Sequence, residues 1–209
     1  MQVTGLNTLR AYWEALRQNG DLPRRAQIDP RGIESALDIA FLAERVAPRV
    51  ARFRLAGRQI CDLMGMEVRG MPLSALIAPE ARDEFGEALA RAFSGPAVVE
   101  MSLRAASGLT QPRLEARMLL LPLRADDGSV SRLLGGLARE GRLGFPPRRL
   151  DLTGMQIIAL EGAAAPPPDA DATEHHRTQG FAEPTAGFAG APGSGPRRRP
   201  HLRVIRNDD

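Results

Sequence analysis

The sequence predicts an α+β domain built around an antiparallel sheet. Two short extended segments come first, a block of glycine-punctuated helices follows, and three longer alternating segments come last. The turn Asp126-Asp127-Gly128 joins the last two segments as a hairpin, because Asp-Gly favours the tight turn of an antiparallel pair. Five strands, with short helices grouped between the second and the third, are typical of an α+β fold.

The first 36 residues predict a helical leader. Apolar residues recur at three- and four-residue spacing over residues 5–19, which indicates one amphipathic helix that ends at Gly20. Asp29-Pro30 then begins a short helix, because Asp suits the N-cap and Pro suits the first turn. The apolar stripe of the first helix consists of Leu6, Leu9, Trp13 and Leu16.

Residues 37–140 predict the core of the domain. A helical turn lies between Gly57 and Gly65, and a longer helix begins at Pro79 and ends at Gly95. The predicted strands are 37–46, 50–55, 98–104, 114–123 and 130–138.

The composition changes after the core. Residues 141–162 form a transition strap, in which 155–160 is either one more strand or an ordered strap. Residues 163–209 are rich in Ala, Pro, Gly and polar residues and cannot bury enough apolar area to offset their ordering entropy. We therefore expect a disordered tail there.

The order of these signals resembles that of a PAS domain. A short helix ends in Leu-x-Gly, a Gly-x-x-Leu segment follows, and Pro-Glu starts the next helix. The leader is similar to that of the stand-alone bacterial branch catalogued as the fifth PAS family, and with it the resemblance covers residues 6–140. The resemblance implies a five-stranded antiparallel sheet with short helices on one face, in a sensor or docking module rather than an enzyme. The matching segments are Leu63-Met64-Gly65, Gly70-Met71-Pro72-Leu73 and Pro79-Glu80, preceded by Trp13 with Leu16-Arg17, by Leu22-Pro23 with Arg25, and by Ile28-Asp29-Pro30.

Composition and charge exclude several functions. All 28 basic residues are arginine, which excludes a Schiff-base lysine and a P-loop lysine. The formal net charge is only +3 and both signs are interspersed, as on a solvated surface. The sequence shows neither an apolar run of about 20 residues nor a secretory signal, so we expect a cytoplasmic protein without a membrane span. The single cysteine, Cys61, excludes an intrachain disulfide.

The sequence shows no catalytic motif, and we predict neither an enzyme nor a bound metal or cofactor. All histidines fall in the tail, at His175, His176 and His201, so the core lacks a proximal ligand for haem. In light-sensing PAS relatives a cysteine attacks flavin, and Leu73 occupies that position here. We interpret Cys61 as a small apolar residue beside Ile60. The alternative, redox sensing, would need an electropositive setting, for which Arg58 is the neighbour.

Apolar side chains are expected to fill or line the space between sheet and helices. This set forms either a closed core or a pocket for a small apolar ligand. Gly135-Gly136 lies within a strand, where paired glycines indicate a bulge, close packing or admission of a ligand. The set is Phe53, Leu55, Ile60, Leu63, Met64, Leu73, Leu76, Ile77, Phe85, Leu89, Phe93, Met101, Leu103, Leu119, Leu121 and Leu134.

The leader stripe must pack somewhere, because a lone short helix is not stable in water. Two places are available, the domain's own sheet or a second copy. The resemblance favours the second copy, so we expect a homodimer with Leu6, Leu9, Trp13 and Leu16 at the interface and Trp13 as its anchor.

These observations favour a non-enzymatic sensory or adaptor protein that acts in regulation through protein–protein contacts. The alternative is a nucleic-acid-binding regulator that uses Arg197, Arg198 and Arg199 in the tail. The same run is also typical of a solubilising tail.

Overall fold

The two α-helices of the core lie where the glycine and proline signals place them. The computed structural model describes residues 2–108 and 111–160. The predicted tail, with its histidines and its arginine run, lies outside the described residues. The α-helices are α1 (Gln2–Leu16), α2 (Arg58–Met64) and α3 (Arg82–Ser94), and shorter 3-10 segments span Arg25–Gln27, Pro30–Ala36, Leu73–Leu76 and Pro79–Ala81.

The helix ends show which local sequence signals determine where each helix begins and ends. α1 ends at Leu16 rather than at residue 19, because Asn19 and Gly20 both take positive φ angles, of 52° and 82°. Gly65 ends α2 as predicted, with a φ of 71° in the left-handed region that glycine adopts at low cost. Pro79 begins a single 3-10 turn, and α3 follows it directly.

All neighbouring strands of the sheet are antiparallel, and their order is β2-β1-β5-β4-β3-β6. The turn predicted at 126–128 joins β4 to β5. The strands are β1 (Ala40–Ala47), β2 (Val50–Ala56), β3 (Ala97–Ala105), β4 (Leu114–Arg124), β5 (Val130–Gly141) and β6 (Leu150–Ala159).

The sheet has six strands, and the expectation of five is wrong. Of the two alternatives for residues 155–160, a strand or an ordered strap, the structure shows the strand. It is part of β6, which pairs with β3 from Ala97–Ala159 to Ala105–Leu150. β6 thereby occupies backbone groups along β3 that would otherwise form an open sheet edge. Thr153 and Gly154 weaken its apolar alternation, so the sequence alone did not decide between a strand and a strap.

Two adjacent glycines define the two faces of the sheet. A Cβ at Gly135 would lie 2.2 Å from the ring of Phe41, whereas a Cβ at Gly136 would lie 2.6 Å from Leu9 and 2.7 Å from Leu6. The register of β5 with both neighbours is unbroken at these positions, so the pair is not a bulge. Of the alternatives that the sequence left open, close packing is the one that the structure shows.

The helices cover both faces of the sheet. The inner face carries Phe41 and Phe53, which meet edge to face with ring centroids 5.4 Å apart. α3 lies on this side, where the guanidinium of Arg45 lies 5.8 Å from the ring centroid of Phe93. α1 lies on the opposite, outer face, over Gly136.

One buried charge holds the loops at one end of the sheet. Arg148 is 3% exposed and donates hydrogen bonds to the carbonyl oxygens of Ala106 and Pro112, both at 2.9 Å, and to that of Leu143. Its partners lie in the β3–β4 and β5–β6 connections, so this one side chain ties the two loops together. Among the described residues, no helix is long and apolar enough to cross a membrane.

Candidate functional site

Most of the predicted pocket residues form a tightly buried cluster on the inner face. Each is at most 6% exposed, and all belong to one hydrophobic core. The side chains of this chain therefore occupy the space between the inner face and the helices, as in a closed core. They are Phe53, Ile60, Leu63, Met64, Leu73, Leu76, Ile77, Phe85, Leu89, Phe93, Met101 and Leu103.

Four predicted pocket residues lie on the other face, so the expectation that the whole set faces one shared space is wrong. Leu119 pairs with Gly136, Leu121 pairs with Leu134, and both Leu134 and Leu55 pair with Leu42. Residues directly opposite in an antiparallel pair share a face, so these side chains lie on the outer face. Leu55 is also 53% exposed. The continuous apolar run of β4 hides its alternation, so the sequence could not assign the faces.

The leader stripe packs on the chain's own sheet. Leu6, Leu9 and Trp13 are 8%, 0% and 0% exposed within one chain, and Leu16 is half-buried. Trp13 Nε1 donates a 2.9 Å hydrogen bond to the carbonyl oxygen of Pro122 in β4. These side chains are covered within one chain, so the expectation that they form a dimer interface is wrong for this stripe. Two features of the sheet position the stripe: Gly136, which has no side chain beneath Leu6 and Leu9, and the carbonyl oxygen of Pro122, which accepts from Trp13. Pairing between distant strands creates this surface, and the apolar spacing of one helix does not reveal it.

A polar groove remains open on the outer face, between α1 and β6. It consists of two adjoining cavities of about 350 and 640 Å³ that share Ser102 and Arg117. α1 contributes Arg10, which pairs with Glu100 of β3. The alternation of residues 98–104 in the sequence already places Glu100, Ser102 and Arg104 on one face.

Some charged side chains of the polar groove form ion pairs, and others do not. Glu115 accepts from Arg113 at 2.5 Å and lies 3.8 Å from Arg104. The hydrogen bond from Arg113 holds the pKa of Glu115 below its usual range, so this carboxylate is ionised at neutral pH. Arg117 is exposed and forms no ion pair within residues 2–108 and 111–160. Its position between apolar neighbours in the run Glu115-Ala116-Arg117-Met118 is the signal that could have found it.

Cys61 is half-buried and packs against the core, as interpreted from the sequence. Its Sγ lies 3.9 Å from the carboxylate of Glu67, and Arg58 lies 3.8 Å from Asp62. The contact that the thiol makes is thus with a carboxylate, whereas a reactive thiolate needs an electropositive neighbour. In the described part of the chain, no group of three His, Cys, Asp or Glu side chains is placed to hold a metal ion.

A comparison with family models identifies a match over most of the chain. Residues 1–138 match the family model of the fifth PAS family, described as a PAS domain. No curated protein matches the chain. Among solved structures, the light state structure of the blue-light photoreceptor Aureochrome1 LOV is similar, with 15% identity and a TM-score of 0.37. The match covers 54% of this chain and 88% of that chain.

Proposed function

Because the chain belongs to the PAS domain family, we propose that it is a non-enzymatic sensory or adaptor protein that docks a protein partner on the outer face of its sheet. The observation that carries this proposal is the contrast between the two faces. The inner face is filled by the chain's own core, whereas the outer face keeps an open polar groove beside α1.

The chemistry of the polar groove suits a transient protein contact. Non-obligate interfaces are about as polar as the rest of a protein surface, and arginine is enriched in them. Arg117 offers a planar, multidentate donor to a carboxylate or a backbone carbonyl of the partner. Arg10 and Glu100 are already paired and exposed by more than a third, so a partner can exchange their contacts at modest cost.

The glycine pair of β5 provides a route from the inner core to the docking face. Phe41 rests on Gly135 on the inner side, and Leu6 and Leu9 rest on Gly136 on the outer side. Gly135 and Gly136 are adjacent in β5. A change in the packing of Phe41 on the inner face therefore acts next to the contact that positions α1 on the outer face. In this proposal, a ligand or partner that prefers one packing of the core shifts the position of α1 at the edge of the groove.

Capture from the native host lysate tests the proposal. We expect Arg117→Glu to reduce recovery of the partner at least tenfold, because it reverses the unpaired charge of the groove. Arg91→Glu is the matched control, since Arg91 is exposed on α3, the helix of the inner side. Equal recovery with wild type and Arg117→Glu would contradict docking at the polar groove.

Self-association stays a prediction, and its surface is not the leader stripe. Light scattering of the purified chain at tens of micromolar measures it directly. A small apolar ligand also stays a prediction, which native mass spectrometry of the freshly purified protein tests.

A further inference from the structure

A second opening lies on the outer face, on the β2 side of α1. Two adjoining cavities of about 160 and 240 Å³ share Arg25, Leu42 and Leu55. We call this opening the arginine-rimmed slot. Leu42, Leu55 and Leu134 are among its apolar lining residues, together with Ile33 and Leu37.

We propose that the arginine-rimmed slot docks an acidic segment of a partner protein, which inserts one large apolar side chain and places carboxylates on the rim. This inference rests on the proposed function and names the chemistry of the partner. It uses a surface separate from the polar groove, so the two can fail independently.

The apolar part of the slot is a site for a single anchor. Leu55 is 53% exposed and Leu37 is 41% exposed, although both lie beside a buried core. A cavity of about 150 Å³ lined by aliphatic side chains holds one benzene-sized group. The smaller cavity, of about 160 Å³, therefore matches one aromatic or branched aliphatic side chain. One such anchor in a pocket supplies a large share of the binding energy in many interfaces.

The rim selects the charge of the partner. Arg25, Arg54, Arg69 and Arg132 line the slot, and no acidic side chain lines either of its cavities. Two carboxylates contact the rim residues. That of Glu44 pairs with Arg54 and Arg132, and that of Glu67 accepts from the backbone N–H of Arg69 at 3.0 Å.

Glu44 does not neutralise the whole rim. Burial alone would raise the pKa of Glu44, but the hydrogen bonds from Arg132 and Arg54 outweigh it and lower the pKa. Its single negative charge therefore serves two arginines. Arg25 and Arg69 form no ion pair with any residue that the structure describes. The slot thus presents two guanidinium groups without an ion pair among the described residues, beside an apolar recess, and carboxylates are their complementary ligands.

The wall of the slot is fixed in place before binding. The hydroxyl of Tyr12 accepts from the backbone N–H of Asp29 at 2.8 Å and donates to the carbonyl oxygen of Gln27 at 3.3 Å. Gly32 lies so close to the Tyr12 ring that a Cβ would be 2.2 Å away. The segment that carries Ile28 and Ile33 is thereby held against α1. A preformed recess lowers the ordering cost of binding.

The shape of the slot favours a peptide over a membrane. Its apolar atoms lie in a recess that takes one side chain, between the segment at Ile33 and the strand that carries Leu55. A bilayer surface binds through a broad apolar area or a broad basic area. A protruding side chain on a peptide reaches the floor of a recess, and a planar lipid surface does not.

A peptide-display selection against the full-length chain tests the proposal. We expect the enriched sequences to share one large apolar residue with Asp or Glu within two positions of it. Binding of the enriched peptides, measured by fluorescence anisotropy, should weaken at least tenfold in Leu55→Asp and at least threefold in Arg69→Glu.

Matched controls separate the slot from general surface effects. Met66→Asp changes another exposed apolar side chain, 57% exposed, and Arg91→Glu reverses another exposed arginine. Both should bind as wild type does. Peptides without acidic residues, binding that survives Leu55→Asp, or no enrichment would each overturn the proposal. So would flotation of the wild type, but not of Leu55→Asp, with phosphatidylserine vesicles, since the slot would then take lipid. Partner capture that depends on Arg117 would stand in all these cases.

Discussion

At the scale of single residues, the glycine pair of β5 decides how closely both layers approach the sheet. Phe41 covers one glycine and the α1 leucines cover the other, and both contacts are too close for a side chain. A glycine within a strand ordinarily costs stability, because it adds backbone entropy to the unfolded chain. Here the close approach of two layers offsets that cost.

The first prediction concerns these contacts. Gly135→Ala and Gly136→Ala should each lower the free energy of unfolding by about 1–3 kcal/mol, the usual range for overpacking a core. Urea unfolding of the purified chain measures the change. Gly95→Ala is the control, since nothing lies within 4 Å of its added Cβ, and it should be close to neutral. If both β5 variants were as stable as wild type, the layers on either side of the sheet could move to admit a methyl group without loss of stability.

A second residue-scale prediction concerns Asp21. The side-chain hydrogen bond from Arg124 at 2.8 Å, assisted by the backbone N–H of Leu22, holds the pKa of Asp21 below its usual value. A carboxyl whose pKa is lower in the folded state stabilises the fold above its unfolded pKa, and that stabilisation is lost as the pH falls through the folded pKa. Asp21 is largely exposed, so solvent screening keeps the contribution below about 1 kcal/mol.

Asp21→Asn should therefore be less stable than wild type at pH 7, and the difference should shrink below about pH 4. Denaturant unfolding at a series of pH values measures this. A difference that stays constant down to pH 3 would show that the carboxylate charge of Asp21 is not involved.

At the scale of elements, α1 is the part whose role the sequence left open. Its stripe predicted that the helix must pack, but the helix period does not reveal the partner surface. In the structure α1 covers part of the outer face, and the hydrogen bond from Trp13 Nε1 to the carbonyl oxygen of Pro122 holds it there. Proline offers only a carbonyl to its neighbours, and the indole N–H takes that acceptor.

The third prediction follows from this placement. Trp13→Glu should remove cooperative unfolding, because it places a charge where the native side chain is fully buried. Thermal unfolding followed by circular dichroism measures it. Ala11→Glu, at an exposed position of the same helix, is the control and should unfold as wild type does. A folded Trp13→Glu monomer would instead show that this face of α1 can be exposed.

The other elements show why some of the fold was predictable. The order of strands and helices, the left-handed Gly65 and the turn at 126–128 all depend on local backbone preferences, which a sequence carries directly. β6 and the face of β4 depend on pairing between distant segments. Apolar runs such as Met118 to Leu121 satisfy either face, so their assignment needed the register.

The candidate site was predictable to a similar degree. The inner core residues follow from the apolar pattern of helices and strands. The polar groove and the arginine-rimmed slot are formed by residues far apart in sequence, such as Arg10 with Arg117 and Arg25 with Arg69. Exposed arginines are frequent throughout this chain, so the apolar neighbours of Arg117 indicated an outward-facing side chain but not the groove that it lines.

At the scale of the whole molecule, α1 divides the outer face into two openings of different chemistry. The polar groove pairs charges of both signs, whereas the arginine-rimmed slot combines exposed leucines with guanidinium groups. In our two proposals, these openings are separate places for a partner to bind, on either side of one helix. A shift of that helix would change both places together, which is how the proposed sensor would pass its signal on.

Site-specific photo-crosslinking in the native host tests docking on the outer face most directly. A photoreactive amino acid is placed at exposed Ser102, in the polar groove, and in a second variant at exposed Arg91 on α3. We predict one dominant crosslinked partner from position 102 and none from position 91. A partner that crosslinks from position 91 but not from position 102 would contradict docking on the outer face.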